Sequence, residues 1–100
     1  MNLSVISPDM PLSTTLEDTV RDHLADLDNL YGHITGYKVV IRKTDNPVKK
    51  QYEIEARVLA AKSSFFCREH ADSFELALDE AIANLARQLR RQRKERAEIW

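Results

Sequence analysis

The sequence predicts an α+β two-layer sandwich with the element order β-α-β-β-β-α. Three observations carry that expectation. Two stretches repeat apolar residues at spacings of three and four, between them lies a block that alternates with period two, and turn signals separate the pieces. Two helices with one apolar stripe each would cover one face of a four-stranded mixed sheet.

Residues 2–6 alternate, with Leu3 and Val5 on one side, as in a short first strand. Ser7-Pro8-Asp9-Met10-Pro11 breaks the chain. Ser13 or Thr14 caps the next helix, and with Thr14 as the cap Glu17 would complete a capping box. Leu16, Val20, Leu24, Leu27, Leu30 and Tyr31 form its stripe, and Gly32 is placed to end it. Its outer face carries Glu17, Asp18, Asp22, Asp26 and Asp28 against only Arg21.

From about Gly36 the period changes to two. Tyr37, Val39 and Ile41 alternate with Lys38, Val40 and Arg42 in a second strand, and Asp45-Asn46-Pro47 turns the chain. The third strand puts Tyr52, Ile54, Ala56, Val58 and Ala60 on one face and Gln51, Glu53, Glu55 and Arg57 on the other. This is the pattern of a sheet with one buried and one wet face. A connection at Ala61-Lys62-Ser63-Ser64 leads into a fourth strand through Phe65, Phe66, Cys67 and Arg68. The helix-linked first two strands should run parallel through a right-handed crossover, and the hairpin-linked ones antiparallel.

The last helix runs from Ser73, its expected N-cap, to about Arg96 without Gly or Pro. Phe74, Leu78, Ala81, Ile82, Leu85 and Leu89 form its buried stripe. The stripe stops at Leu89 while basic residues continue. Residues 87–96 hold six Arg or Lys and one Glu; as the formal net charge is -1, the other ninety residues carry about -6. Such segregation marks a local electrostatic footprint at the end of a core helix.

Residues 1–100 are read as one domain with a basic arm at about 87–96. With 43% hydrophobic residues the chain can bury a modest core, and a single Cys excludes an internal disulfide framework and a Cys-rich zinc site. The absence of a secretory pattern and of an apolar run long enough to span a bilayer leads to the expectation of a cytoplasmic protein with no membrane partner.

No constellation for catalysis stands out. Asp79 and Glu80 are adjacent on a helix and point in different directions, and two Gly in the whole chain leave no phosphate-cradling loop. Cys67 and His70 fall on opposite faces of a strand, so a core cysteine beside a surface histidine outweighs a metal site. The expectation is therefore no enzyme, no cofactor, no metal and no small-molecule substrate. One of Phe65 and Phe66 must face the open side of the sheet, where it can stack a base or meet a neighbouring side chain or a partner protein.

For the arm, Arg87, Arg90, Arg91 and Lys94 lie at spacings of three and four, a row able to track a nucleic-acid backbone. Lys38, Arg42 and Lys43, with Lys49 and Lys50 in the following loop, widen that patch if they fall on the same side. The rival reading is a solvated helix end, or one that pairs with an acidic helix in a weak homodimer.

The opening MNLSVISPDMPLSTTLEDTV, the helix end LDNLYGHI and above all LDEAIANLARQLRRQRK resemble the short ribosome hibernation-promoting factors. These are also called ribosome-associated translation inhibitors or sigma-54 modulation proteins. The resemblance runs from Met1 to about Lys94. It implies a layout similar to double-stranded RNA-binding domains, and binding to the small (30S) ribosomal subunit and its 16S rRNA between head and body, over the mRNA and tRNA sites. Translation would be blocked in starved or stationary cells by occupancy alone. It also implies rRNA contacts from Arg87, Arg90, Arg91 and Lys94, which follow the family's RQLR-K pattern, and from Lys38, Arg42, Lys49 and Lys50. This chain departs from the pattern in one respect: members carry several lysines on the first helix, and here Asp22, Asp26 and Asp28 stand in that region; ADSFELALDEA is also one residue longer than the common version. A protein-interaction module on the same fold is the alternative. The likeness is to short members, so no second domain or extended tail is expected beyond Trp100.

Overall fold

The computed structural model describes residues 2–44, 48 and 51–98, and their side chains through Gln92. The order is β1 (Leu3–Ile6), α1 (Thr14–Ala25), a 3-10 turn (Asp26–Asn29), β2 (Ile34–Lys43), β3 (Tyr52–Ala60), β4 (Ser64–Ala71) and α2 (Phe74–Glu98). The sheet is ordered β1-β2-β3-β4, with β1 parallel to β2 and the other pairs antiparallel. The predicted α+β architecture is the observed one.

Alternation builds the core. Tyr37, Val39 and Ile41 of β2 and Ile54, Ala56 and Val58 of β3 are buried, as are Phe65, Cys67 and Ala71 of β4. Val20, Leu24 and Leu27 from the first helical segment and Leu78, Ala81, Leu85 and Leu89 from α2 close over them. A fully buried Leu, Ile or Val side chain contributes about 1.5–3 kcal/mol, so these stripes decide which face of each helix turns inward. The Tyr31 and Phe65 rings meet edge to face, 5.4 Å apart.

Both helix starts are capped by serine. Ser13 Oγ accepts from the Leu16 amide at 3.0 Å, so Ser13 rather than Thr14 is the cap. Ser73 Oγ accepts from the Leu76 amide at 3.2 Å. The end of the first helical segment departs from expectation. The α-helix tightens to 3-10 at Asp26, and Gly32 does not take the left-handed conformation; His33 does, at φ 68°. The apolar stripe survives because Leu27 stays buried through the tighter turn. At Gly36 a Cβ would lie 3.1 Å from the Asn2 carbonyl, where β1 and β2 begin to pair.

Candidate nucleic-acid interface

The position of the arm is set by three side chains on α2 and β4. Gln88 donates from Nε2 to the Phe66 carbonyl and to Asn84 Oδ1, both at 2.8 Å, and Asn84 donates to Glu69 Oε1 at 2.8 Å. This ladder satisfies a carbonyl on an edge strand and fixes the rotation of the helix. With Leu85 and Leu89 inward and Asn84 and Gln88 along β4, Arg87, Arg90 and Arg91 face outward and are exposed. Among the described residues none of the three has a carboxylate within ion-pair distance. The helix continues to Glu98, nine residues past Leu89, or about 14 Å at the helical rise. Lys94 is part of this extension, with its side chain outside the described set, and Lys49, Lys50 and Trp100 lie outside the described residues altogether.

Lys38 and Arg42 do not join this row. Both project from the face of β2 opposite Val39 and Ile41, and so from the side of the sheet away from the helices. Their environments differ. Arg42 Nε lies 3.8 Å from carboxylate oxygens of both Glu53 and Glu55. Arg68 approaches the same two carboxylates at 3.6 and 3.1 Å, and His70 Nε2 lies 2.9 Å from Glu53. Lys38 is exposed and unpaired among the described residues. The expected single patch is thus two surfaces, an arginine row on α2 and an open sheet face on which Arg42 is engaged with acids.

Of the three aspartates Asp22, Asp26 and Asp28, the first two are exposed without a described partner. Asp28 accepts a hydrogen bond from the hydroxyl of buried Tyr37, joining the 3-10 turn to β2. Burial first, and the Asp28 carboxylate second, push the Tyr37 phenol above its ordinary range. A further tie joins the helices: His23 Nε2 is 3.2 Å from Asp79 Oδ1, while its Nδ1 is 2.8 Å from the Thr19 carbonyl. His23 and Asp79 belong to different helices, so the contact follows from the packing of α1 against α2.

The arrangement offers little to covalent chemistry. Cys67 is buried, 3.5 Å from the Ala81 carbonyl, and burial pushes its thiol up to about 11, away from the thiolate a nucleophile needs. Among the described residues no group of three or more His, Cys, Asp or Glu could hold a metal, and no helix is long and apolar enough to cross a membrane. An open crevice of about 570 Å³ lies between Tyr31–His33, the β3–β4 connection and Gln92, with Lys62 on its rim.

Fold and surface together define a small α+β two-layer domain whose last helix carries three exposed arginines with no carboxylate partner among the described residues. The chain belongs to the sigma 54 modulation protein / S30EA ribosomal protein family, whose model matches residues 3–97. Among solved structures it is similar to the N-terminal domain of Protein Y from Thermus thermophilus. That match has 24% identity and a TM-score of 0.78, and covers 91% of this chain and 98% of that one. It is also similar to a ribosomal subunit interface protein from Coxiella burnetii, at 15% identity and a TM-score of 0.77, covering 94% of this chain and 99% of that one. At these identities the structural likenesses speak for the fold. A comparison with curated protein sequences gives no match.

Proposed function

We propose that this protein is a ribosome-associated hibernation factor that binds rRNA of the small subunit near the mRNA and tRNA channel and inhibits translation by occupancy. The observation that carries the reading is the outward row Arg87, Arg90 and Arg91, held in one orientation by the Asn84–Gln88 ladder and free of carboxylates among the described residues. Unpaired guanidinium groups on a rigid helix suit phosphate oxygens, and neutralising phosphates releases counterions. Membership of the sigma 54 modulation protein / S30EA ribosomal protein family, and likeness to a ribosomal subunit interface protein, support the same partner. In this reading Lys94, Lys49 and Lys50 add further phosphate contacts, Lys38 and Arg42 contribute from the sheet side, and residues 1–100 act as one cytoplasmic unit without cofactor or catalytic step.

The direct test is a reconstituted translation reaction containing purified ribosomes. Added protein should lower synthesis, and excess mRNA with initiator tRNA should relieve the inhibition, because all three compete for one channel. Undiminished synthesis at saturating protein would overturn the proposal.

Asp22 and Asp26, exposed on the first helical segment, favour one second reading, a homodimer in which this acidic face meets the arm of another copy. Sedimentation velocity at low salt separates the two, since a dimer that dissociates as salt rises is expected only from the second.

A further inference from the structure

Strand register sorts the open face of the sheet into rows with different charge. In one row Arg42 pairs with Glu53 and Glu53 with His70, and in the next Val40 pairs with Glu55 and Glu55 with Arg68. The two carboxylates serve Arg42, Arg68 and His70, and these rows are largely neutralised. In the third row Lys38 pairs with Arg57 and Arg57 with Phe66. It has no acid. Lys38 and Arg57 are exposed, and among the described residues neither has a carboxylate within ion-pair distance. The Arg57 guanidinium carbon lies 5.2 Å from the centroid of the Phe66 ring, and Phe66 is 41% exposed on a face that no helix covers.

Apolar exposure alone would not select a partner for this row, but its chemistry does. A planar cation against an aromatic ring presents π surface, which a nucleobase can stack upon whatever its sequence, and lysine two strands away, about 10 Å across the sheet, matches a phosphate. An acidic peptide would use the two cations and leave the ring idle. A duplex keeps its bases stacked and cannot offer one. We propose that the Lys38–Arg57–Phe66 row is a binding site for single-stranded RNA, taking an unstacked base on Arg57 and Phe66 and an adjacent phosphate on Lys38. This site is on the opposite side of the sheet from the arm, so the protein can hold two RNA segments at once, and the inference stands or falls independently of the arm.

The test is fluorescence anisotropy with a short labelled single-stranded RNA and an abasic oligomer of equal length and charge. It is run at low salt on the full chain and on a variant with Arg87, Arg90 and Arg91 changed to Ala. That background removes the arm's sequence-independent contribution. In both proteins Phe66→Leu, which keeps an apolar side chain at an exposed position, should weaken RNA binding about tenfold, the size of one lost base–aromatic stack. Lys38→Gln should weaken it severalfold, and the abasic oligomer should bind about as weakly as RNA does to Phe66→Leu. Circular dichroism and a thermal melt confirm that each variant is folded. Equal binding of RNA and abasic oligomer in the arm-free background, or indifference of RNA binding to Phe66→Leu there, would overturn the proposal and leave a simple polyanion or acidic-protein surface.

Discussion

The hydroxyl of Tyr37 donates to the carboxylate of Asp28, so an aspartate that reads as part of an acidic helix face is instead the polar end of a core residue. Tyr37 is only 3% exposed, and its hydroxyl would otherwise be a buried donor at the seam between the 3-10 turn and β2. The aspartates at this end of the segment therefore do not all present free negative charge.

Removing that hydroxyl should be felt in stability and not in RNA binding. Tyr37→Phe is expected to cost about 1 kcal/mol, since Asp28 is exposed and water replaces the lost partner. Asp28→Ala should cost more, about 2 kcal/mol, because it strands the phenol. Urea denaturation of the two variants checks both the size and the order.

The Cys67 thiol gives a pH dependence with a definite sign. Burial raises it from the ordinary value of 9.0 to about 11. An acid whose folded value is raised keeps its proton longer in the folded state, so its full contribution is present below about 9 and is lost as pH rises toward 11. Tyr37 is shifted in the same direction and steepens the loss at the upper end of that window. Stability should fall by about 2 kcal/mol between these limits, and Cys67→Ala, which removes the titrating thiol, should flatten the first part of the fall. Native alkylation of Cys67 at neutral pH should be far slower than in urea.

The Gln88 contacts position the arm, and their loss should separate structure from charge. Gln88→Ala removes two hydrogen bonds and leaves every arginine in place. Small-subunit affinity should drop severalfold with the salt dependence unchanged, because the same number of phosphates is still contacted. A variant that instead lowers the salt slope would show that Gln88 holds the arginines in a charge-bearing network.

Much of this was legible in the sequence for a local reason. Period and capping are properties of neighbouring residues, so the α2 stripe, the Ser73 cap and the alternation of β3 could be read directly. The open position of Phe66 followed once its neighbour Phe65 entered the core. What could not be read depends on register or on contacts between elements. Asp28 and Tyr37 belong to different elements, and the sharing of Glu53 by Arg42, Arg68 and His70 follows from strand pairing that single strands do not encode. The switch to 3-10 at Asp26 is hidden because periods of 3.0 and 3.6 are indistinguishable over one turn. The separation of Lys38 from the arm did have a signal. If the helices cover the face of Val39 and Ile41, then Lys38 and Arg42 must point the other way.

If the outward arginine row holds the protein on the ribosome, its loss must be felt in binding to the small subunit. Co-sedimentation of the full chain with small ribosomal subunits at low and moderate salt, beside the variant with Arg87, Arg90 and Arg91 changed to Ala, tests it most directly. Binding should weaken steeply with salt in the parent, and in the variant it should be weaker with a salt slope shallower by about three. Equal binding and equal salt slope in parent and variant would contradict it.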